Sequence, residues 1–383
     1  MEPTKQQESC PLITVPKFLM DRKTQKRGCE IVVTTDTRTF CNYLSGNDTC
    51  PLFIQGEALN VLATFPDNSI DMAITSPPYY MKREYLAGGI GLESNYQEYI
   101  ERLVAICREI YRVLKPTGSF WLNLGDSYLS KNLLMIPQRV AIRLTDDIGF
   151  TLRNQVVWNK IKGAPDNAKD KLRTLWEPMF FFTKSPSGYY YNVDAGRKKP
   201  SKAQSVKHGA VVSATGVSGV RYRRKIELST DLNAKEKQNA IQALDEMLHL
   251  VEIGDIPDFR MVIRGSTRAT HGDSQKLSGR AKELSEKGFY FLKYSNKGAK
   301  ISDVWDIIPE DSQGRKFHFA PYPEDLVKNP IALTCPLGGV VLDPFVGTGT
   351  TCKVAHDMGR KSVGIDLADE YLQLAVERCG AHE

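Results

Sequence analysis

The chain has 383 residues, of which 25% are charged and 41% hydrophobic, and a formal net charge of +6. That length supports a sizeable core, arranged as one large domain with an insertion or as two domains. No apolar run approaches the roughly 18 residues a membrane-spanning helix needs, and the mild positive charge permits a polyanionic partner without demanding one.

Residues 1–50 read as an N-terminal extension of undefined role, irregular apart from one β-like run, Ile31-Val32-Val33-Thr34-Thr35. The opening Met1-Glu2-Pro3-Thr4-Lys5-Gln6-Gln7-Glu8 lacks the apolar centre of a secretory signal, so a cytoplasmic location is expected. Eight cysteines are too few and too scattered for a disulfide framework. Cys10, Cys29, Cys41 and Cys50 cluster without forming a C-x-x-C pair, so free thiols are expected there and no metal.

From Leu52 the pattern becomes orderly. Leu52-Phe53-Ile54 and Asp71-Met72-Ala73-Ile74-Thr75 predict strands, the second running into Ser76-Pro77-Pro78-Tyr79. Two consecutive prolines neither extend a strand nor enter a helix interior, so these four residues form a loop at a strand's carboxyl end. Over residues 95–114 apolar side chains recur at three- and four-residue steps, predicting a helix that Lys115-Pro116-Thr117-Gly118 stops. A strand over Ser119–Leu124, a helix over Ile136–Asp147 and a strand over Gln155–Trp158 continue the rhythm. Phe180–Thr183 and Tyr189–Tyr191 read as a hairpin across Ser185-Pro186-Ser187-Gly188. Such alternation predicts a mainly parallel sheet with helices on both faces.

The rhythm breaks near Asp194. Residues 195–226 hold nine Lys or Arg and no acidic residue, among them Arg197, Lys198, Lys199, Arg221, Arg223 and Arg224. A helix follows, opened by Asn233 with Glu236 three residues on and closed by Gly254. From Val340 one last unit appears: a strand to Asp343, a glycine loop, a helix, a strand to Asp366 and a final helix. Only 38 residues follow Phe345, too few to complete a doubly wound sheet, so this unit must dock on strands from residues 52–192. The predicted architecture is therefore a permuted Rossmann-like α/β fold. Its divisions are an N-terminal extension over 1–50, a catalytic half over 51–194, an insertion over 195–300 and a cofactor half over 301–383.

Two motifs carry chemistry. In Asp343-Pro344-Phe345-Val346-Gly347-Thr348-Gly349-Thr350-Thr351 a strand enters a glycine turn and then a helix, which brings backbone amides close to a ligand at the positive end of the helix dipole. Asp366 closes the next strand, where a carboxylate can accept from ribose hydroxyls, so the ligand should carry a nucleoside. No Gly-Lys-Ser/Thr follows, which argues against a kinase-type phosphate loop, and Cys352 stands where a nicotinamide fingerprint wants a third glycine. The second motif is the Ser76–Tyr79 loop. A flipped-out base needs an aromatic face, which Tyr79 offers, and acceptors for its amino protons, which the Ser76 hydroxyl and Pro77 carbonyl offer.

Ser-Pro-Pro-Tyr early and Asp-Pro-Phe-x-Gly-x-Gly-Thr-Thr late resemble the amino-methylating DNA methyltransferases of the permuted β class. Gly91-Leu92-Glu93, Leu122–Tyr128, Val156–Lys160, Asp303-Val304-Trp305 and His318–Pro323 are similar to further blocks of that family. The resemblance covers roughly residues 52–194 and 301–380. It implies S-adenosylmethionine as cofactor, held by Gly56, Glu57, Asp343, Pro344, Phe345, Gly347, Thr348, Gly349, Thr350 and Asp366. It implies Ser76, Pro77, Pro78 and Tyr79 as the catalytic loop and duplex DNA as substrate. The basic insertion occupies the place of the family's target recognition region, where Arg197, Lys198, Lys199, Arg221, Arg223 and Arg224, with Arg260, Arg264 and Arg268, are candidates to contact DNA.

Ser in the first motif position accompanies cytosine N4 methylation in the family, with adenine N6 as the alternative. Methylation of protein glutamine or RNA, and DNA binding without catalysis, account for fewer of the features. C5 methylation is disfavoured, because its cysteine nucleophile follows a proline and the chain contains no Pro-Cys pair. A partner restriction endonuclease is a family-level expectation, and monomer or homodimer stays open. Two departures stand out: Gln55-Gly56-Glu57 where Gly-Asp is frequent, and Trp176-Glu177-Pro178 in place of a His-Glu pair, which leaves the role of Glu177 undefined.

Overall fold

Runs of branched and aromatic residues, buried on both faces, build the central strands. Leu52–Gln55, Ile70–Thr75, Val340–Asp343 and Lys361–Asp366 are almost wholly buried, as expected of parallel strands covered by helices. The computed structural model describes residues 22–26, 29–82, 89–163, 166–197, 205–207, 210–212, 219–265, 279–310 and 322–380. The chain divides into two compact units, residues 1–195 with 302–383, and residues 196–301.

The first unit is built on a ten-stranded sheet. In chain order its strands are β1 (Arg22–Lys26), β2 (Cys29–Thr34), β3 (Leu52–Gln55), β4 (Ile70–Thr75), β5 (Leu114–Asn123), β6 (Thr151–Asn159), β7 (Trp176–Thr183), β8 (Val304–Asp306), β9 (Val340–Asp343) and β10 (Lys361–Asp366). In space the order is β1-β2-β3-β10-β9-β4-β5-β7-β6-β8. The β1/β2, β5/β7 and β7/β6 pairs are antiparallel and the others parallel. The late unit thus slots between two early strands: Leu342 of β9 lies opposite Ala73 of β4, and Gly364 of β10 opposite Phe53 of β3. At the opposite edge from the site the buried Asp71 carboxylate accepts from Val340 N at 2.9 Å and from Lys115 Nζ at 2.8 Å, anchoring the start of β9 beside β4. Because these strands are parallel, the carboxyl ends of β3, β4, β5, β9 and β10 share one edge, where open α/β sheets place their ligands.

The periodic segment near residue 100 forms a helix over Tyr96–Val113, with Asn95 as its N-cap and Tyr99, Leu103, Cys107 and Ile110 on its buried face. Phe120, Phe150 and Phe182 form a ring cluster in the same core, with centroids 5.6 to 6.0 Å apart. No helix among the described residues is long and apolar enough to cross a membrane.

Four local expectations need correction. The described part of the segment before residue 50 is not irregular, since β1 and β2 extend the sheet and a helix covers Arg38–Ser45. Nor are all its cysteines free. Cys29 opens β2 and Cys50, with only Pro51 between, leads into β3, the parallel neighbour of β2, so the sheet brings them together as a disulfide; Cys10 lies outside the described residues. The strand expected from Ser119 begins at Leu114, running through Pro116 at a register shift opposite Ile70 and Met72, a place where a ladder tolerates proline. Tyr189–Tyr191 form no hairpin, because β7 is already paired on both sides, by β5 and β6. These tyrosines pack by their rings instead, Tyr189 and Tyr191 against Phe181 at 6.4 and 6.0 Å.

The second unit has its own core, including Tyr222, Ile226, Leu244, Met247, Val251, Phe259, Ile263 and Phe289. It combines helices over Gly219–Glu227, Ala234–Glu252 and Gly279–Lys287 with an antiparallel pair, Phe259–Ile263 and Phe289–Lys293. Asn233 and Glu236 cap the long helix reciprocally.

Candidate active site

Four side chains meet where β4, β5, β6 and β7 end or begin. The Ser76–Tyr79 loop leaves β4, and Asn123 is the last residue of β5. Glu177 stands at the head of β7, which runs against β5 and so begins at the same edge. The Ser76 hydroxyl lies 3.2 Å from both Asn123 Oδ1 and the Tyr79 hydroxyl. Tyr79 donates to Glu177 Oε2 at 2.9 Å and lies 3.1 Å from Asn123 Oδ1. Asn123 Nδ2 in turn donates to the Pro178 carbonyl at 3.2 Å. Lys160, just beyond β6, pairs with Glu177 Oε1.

The Pro78 carbonyl accepts from Tyr99 at 2.7 Å, which fixes the loop on the long helix. Burial, and then the neighbouring Glu177 charge, hold the Tyr79 phenol well above its ordinary pKa, so it remains a proton donor. Gly125 faces its ring so closely that a Cβ there would lie 2.3 Å from Tyr79 Cε2.

The glycine turn follows β9. Its key is Asp343, wholly buried, with its carboxyl pushed up by that burial. Asp343 Oδ1 accepts from Thr75 Oγ1 at 2.6 Å and from Phe345 N at 3.1 Å. Oδ2 accepts from Thr351 Oγ1 at 2.5 Å and from Tyr322 at 3.0 Å. One carboxylate therefore bolts the residue preceding Ser76 to the turn and to its helix, although 268 positions separate Thr75 from Asp343. Gly349 (φ +81°) closes the turn before the helix over Thr350–Asp357, whose first residue is buried, as is Thr348.

Asp366 at the end of β10 accepts from Gly347 N at 2.9 Å and from Ala368 N at 3.0 Å. A carboxylate has about four acceptor sites, so capacity remains for ligand hydroxyls. Gly56 donates to the Asp366 carbonyl at 3.0 Å, bringing β3 to the same corner. Glu57 caps the helix over Ala58–Leu62 through Asn60 N at 3.0 Å. Turn amides, buried hydroxyls and a carboxylate with spare lone pairs form a donor set suited to a nucleoside.

Thr75, Asn123, Lys160, Glu177, Tyr322 and Thr351 received no role from the sequence. The first four cluster because strand ends converge, a signal that requires the order and direction of the strands. Within the second unit, Arg224 and Arg260 are exposed. Arg223 pairs with Asp245 and Arg264 with Glu236, so both are engaged within the unit. Arg197 donates to the Gly298 carbonyl at 2.6 Å. Lys198, Lys199, Arg268 and His318–Pro321 lie outside the described residues.

The family model for N6/N4 methyltransferases, described as DNA methylase, matches residues 70–377. The type II methyltransferase M.SfiI of Streptomyces fimbriatus is 30% identical over 378 residues, spanning 83% of this chain and 88% of that protein. The type II methyltransferase M.Cfr9I of Citrobacter freundii is 27% identical over 354 residues, spanning 85% and 86%. Among solved structures, the PvuII DNA methyltransferase (cytosine-N4-specific) superposes with a TM-score of 0.52 at 18% identity, covering 86% of each chain. At that identity the likeness concerns the fold.

Proposed function

Because this chain belongs to the N6/N4 DNA methylase family, we propose that it transfers a methyl group from S-adenosylmethionine to the N4 amine of a cytosine flipped out of duplex DNA. The observation that carries the reading is the Thr75–Asp343 hydrogen bond of 2.6 Å, which ties the Ser76–Tyr79 loop to the glycine turn at one sheet edge. Ser76 as first residue of its motif favours cytosine over the alternative, adenine N6.

S-adenosylmethionine supplies an electrophilic methyl group. Asp366 would accept from its ribose hydroxyls, Gly347 to Thr350 would approach it with backbone and hydroxyl groups, and Gly56 and Glu57 flank the same corner. The chain's own work is on the amine. An aromatic amine delocalises its lone pair into the ring and is a poor nucleophile. Accepting its two protons at the Ser76 hydroxyl and the Pro77 carbonyl draws the nitrogen out of the ring plane and aims the lone pair. The Pro77 carbonyl accepts no hydrogen bond among the described residues. Tyr79 offers a face for the base to stack on. Positioning supplies much of the rate, and the acceptor dipoles stabilise the charge that develops on nitrogen. No strong base is needed, because the methylated ammonium loses its proton readily.

Residues 196–301, with the basic run ahead of their first helix, would recognise the DNA target. As a modification enzyme the protein would act in the cytoplasm, opposite an endonuclease cutting the same site. Nucleoside digestion and mass spectrometry of DNA exposed to the protein test the reading. N4-methylcytosine is expected; N6-methyladenine would move it to the alternative, and no modified base would overturn it.

A further inference from the structure

We propose that Glu177, clamped by Lys160, is a positioning residue that turns the lone pairs of Ser76 outward and sets a negative charge behind the amine acceptors. The role rests on amine methylation at the Ser76–Tyr79 loop. Glu177 is largely shielded, its side chain 15% exposed. Its partner Lys160 sits 4.8 Å over the Trp158 ring, which further fixes the ammonium.

Proton counting gives the consequence. Asn123 turns one side toward two groups that only accept, the Pro178 carbonyl at 3.2 Å and Glu177 Oε2 at 3.4 Å. Its NH2 must face them, so its oxygen must face Ser76. Tyr79 has one proton, and the charged acceptor Glu177, at 2.9 Å, claims it over the neutral Asn123 oxygen at 3.1 Å. The Tyr79 oxygen is then also an acceptor toward Ser76. Both inner neighbours of the Ser76 hydroxyl therefore accept, and whichever takes its proton, that proton points inward. The serine lone pairs are left for the protons of the amine.

With glutamine at 177 the amide oxygen stays on Lys160 and the NH2 faces the Tyr79 oxygen, so Tyr79 donates to Asn123 or to Ser76 instead. Ser76 is then free to point its proton outward, where it meets the amine donor to donor. Charge acts in the same direction. As the N–C bond forms and the C–S bond breaks, the electron pair goes to sulfur and the nitrogen becomes cationic until it releases a proton to water. The Glu177 carboxylate sits one hydrogen-bonded residue behind that nitrogen's acceptor.

The test is Glu177→Gln, which keeps shape and hydrogen bonding but not charge, assayed with unmodified genomic DNA and S-adenosylmethionine. The expected result is a kcat lower by about 100-fold with the KM for DNA and the Kd for the cofactor unchanged. Glu177→Asp, which keeps the charge on a shorter side chain, should retain about tenfold more kcat than Glu177→Gln. A Glu177→Gln enzyme with wild-type kcat would overturn the proposal, as would a Glu177→Asp enzyme no faster than Glu177→Gln. Parallel losses in cofactor Kd and Tm would reduce Glu177 to a structural residue and overturn it too. Wild-type protein that methylates no base removes the earlier reading and this role with it, whereas an active wild type with an unaffected Glu177→Gln removes this role alone.

Discussion

Burial raises the Asp366 carboxyl to about 6, against the lowering pull of the Ala368 and Gly347 N–H groups, and the nearby Asp343 charge adds to the rise. The ordinary value is 3.8. Between those values the folded chain holds a proton that the unfolded chain has released, so this group's contribution to stability falls as pH rises through that window. If Asp366 holds the cofactor's ribose as proposed, ligand binding has the opposite sign, because the hydroxyls would donate to the ionised carboxylate. Affinity for S-adenosylmethionine should be level above about pH 6 and weaken below it, approaching tenfold per pH unit. Calorimetric titration from pH 5 to 8 would show this, and Asp366→Asn should flatten the profile while weakening binding throughout. An unchanged slope in that variant would assign the dependence to another group. Tyr79 adds no such limb, since burial and Glu177 hold its proton far above the working range.

At the level of elements, the sequence was most legible where periodicity is strong. The helix expected over residues 95–114 spans Tyr96–Val113, and the Asn233–Glu236 cap forms as its residue types demand. It was least legible where a neighbour decides. Nothing local in Tyr189-Tyr190-Tyr191 says that both edges of β7 are taken, and nothing in Cys29 or Cys50 says that their strands are adjacent. The candidate site shows the same division. Ser76–Tyr79 and the glycine turn announce themselves as motifs, whereas Asn123, Lys160 and Glu177 acquire meaning only when β5, β6 and β7 are laid side by side.

Gly125 belongs to that second kind. Added methyl hydrogens would collide with the Tyr79 ring, whose Cε2 and Cδ2 lie 2.3 and 2.6 Å from the Cβ position. The ring must swing, and its hydroxyl then leaves Glu177. Gly125→Ala should lower methyl transfer by at least about 100-fold, the scale of losing positioned groups, with cofactor affinity and Tm close to wild type. Crosslinking or calorimetry showing lost cofactor binding would instead mean that the clash spreads to β4 and Asp343.

For the whole molecule, the glycine-turn unit that comes late in the chain takes its partner strands from the early half. The insertion of β9 between β4 and β10 shows where those strands are found. Residues 196–301 carry a hydrophobic core of their own. If they hold DNA, the helix over Gly219–Glu227 offers a measurable contrast. Arg224 and Lys225 are exposed on it, while Arg223 is paired with Asp245. An arginine already neutralised within its unit releases fewer counterions on meeting a phosphate than an exposed one. Replacing Arg224 and Lys225 together by Ala should reduce the slope of log affinity against log salt by about 1.8, at roughly 0.9 for each phosphate no longer neutralised, and leave cofactor binding unchanged. Arg223→Ala should move that slope less than either. Equal slopes for all variants, measured by anisotropy on labelled duplex from low to moderate salt, would mean that this helix lies away from the phosphates and that another face of the second unit meets DNA.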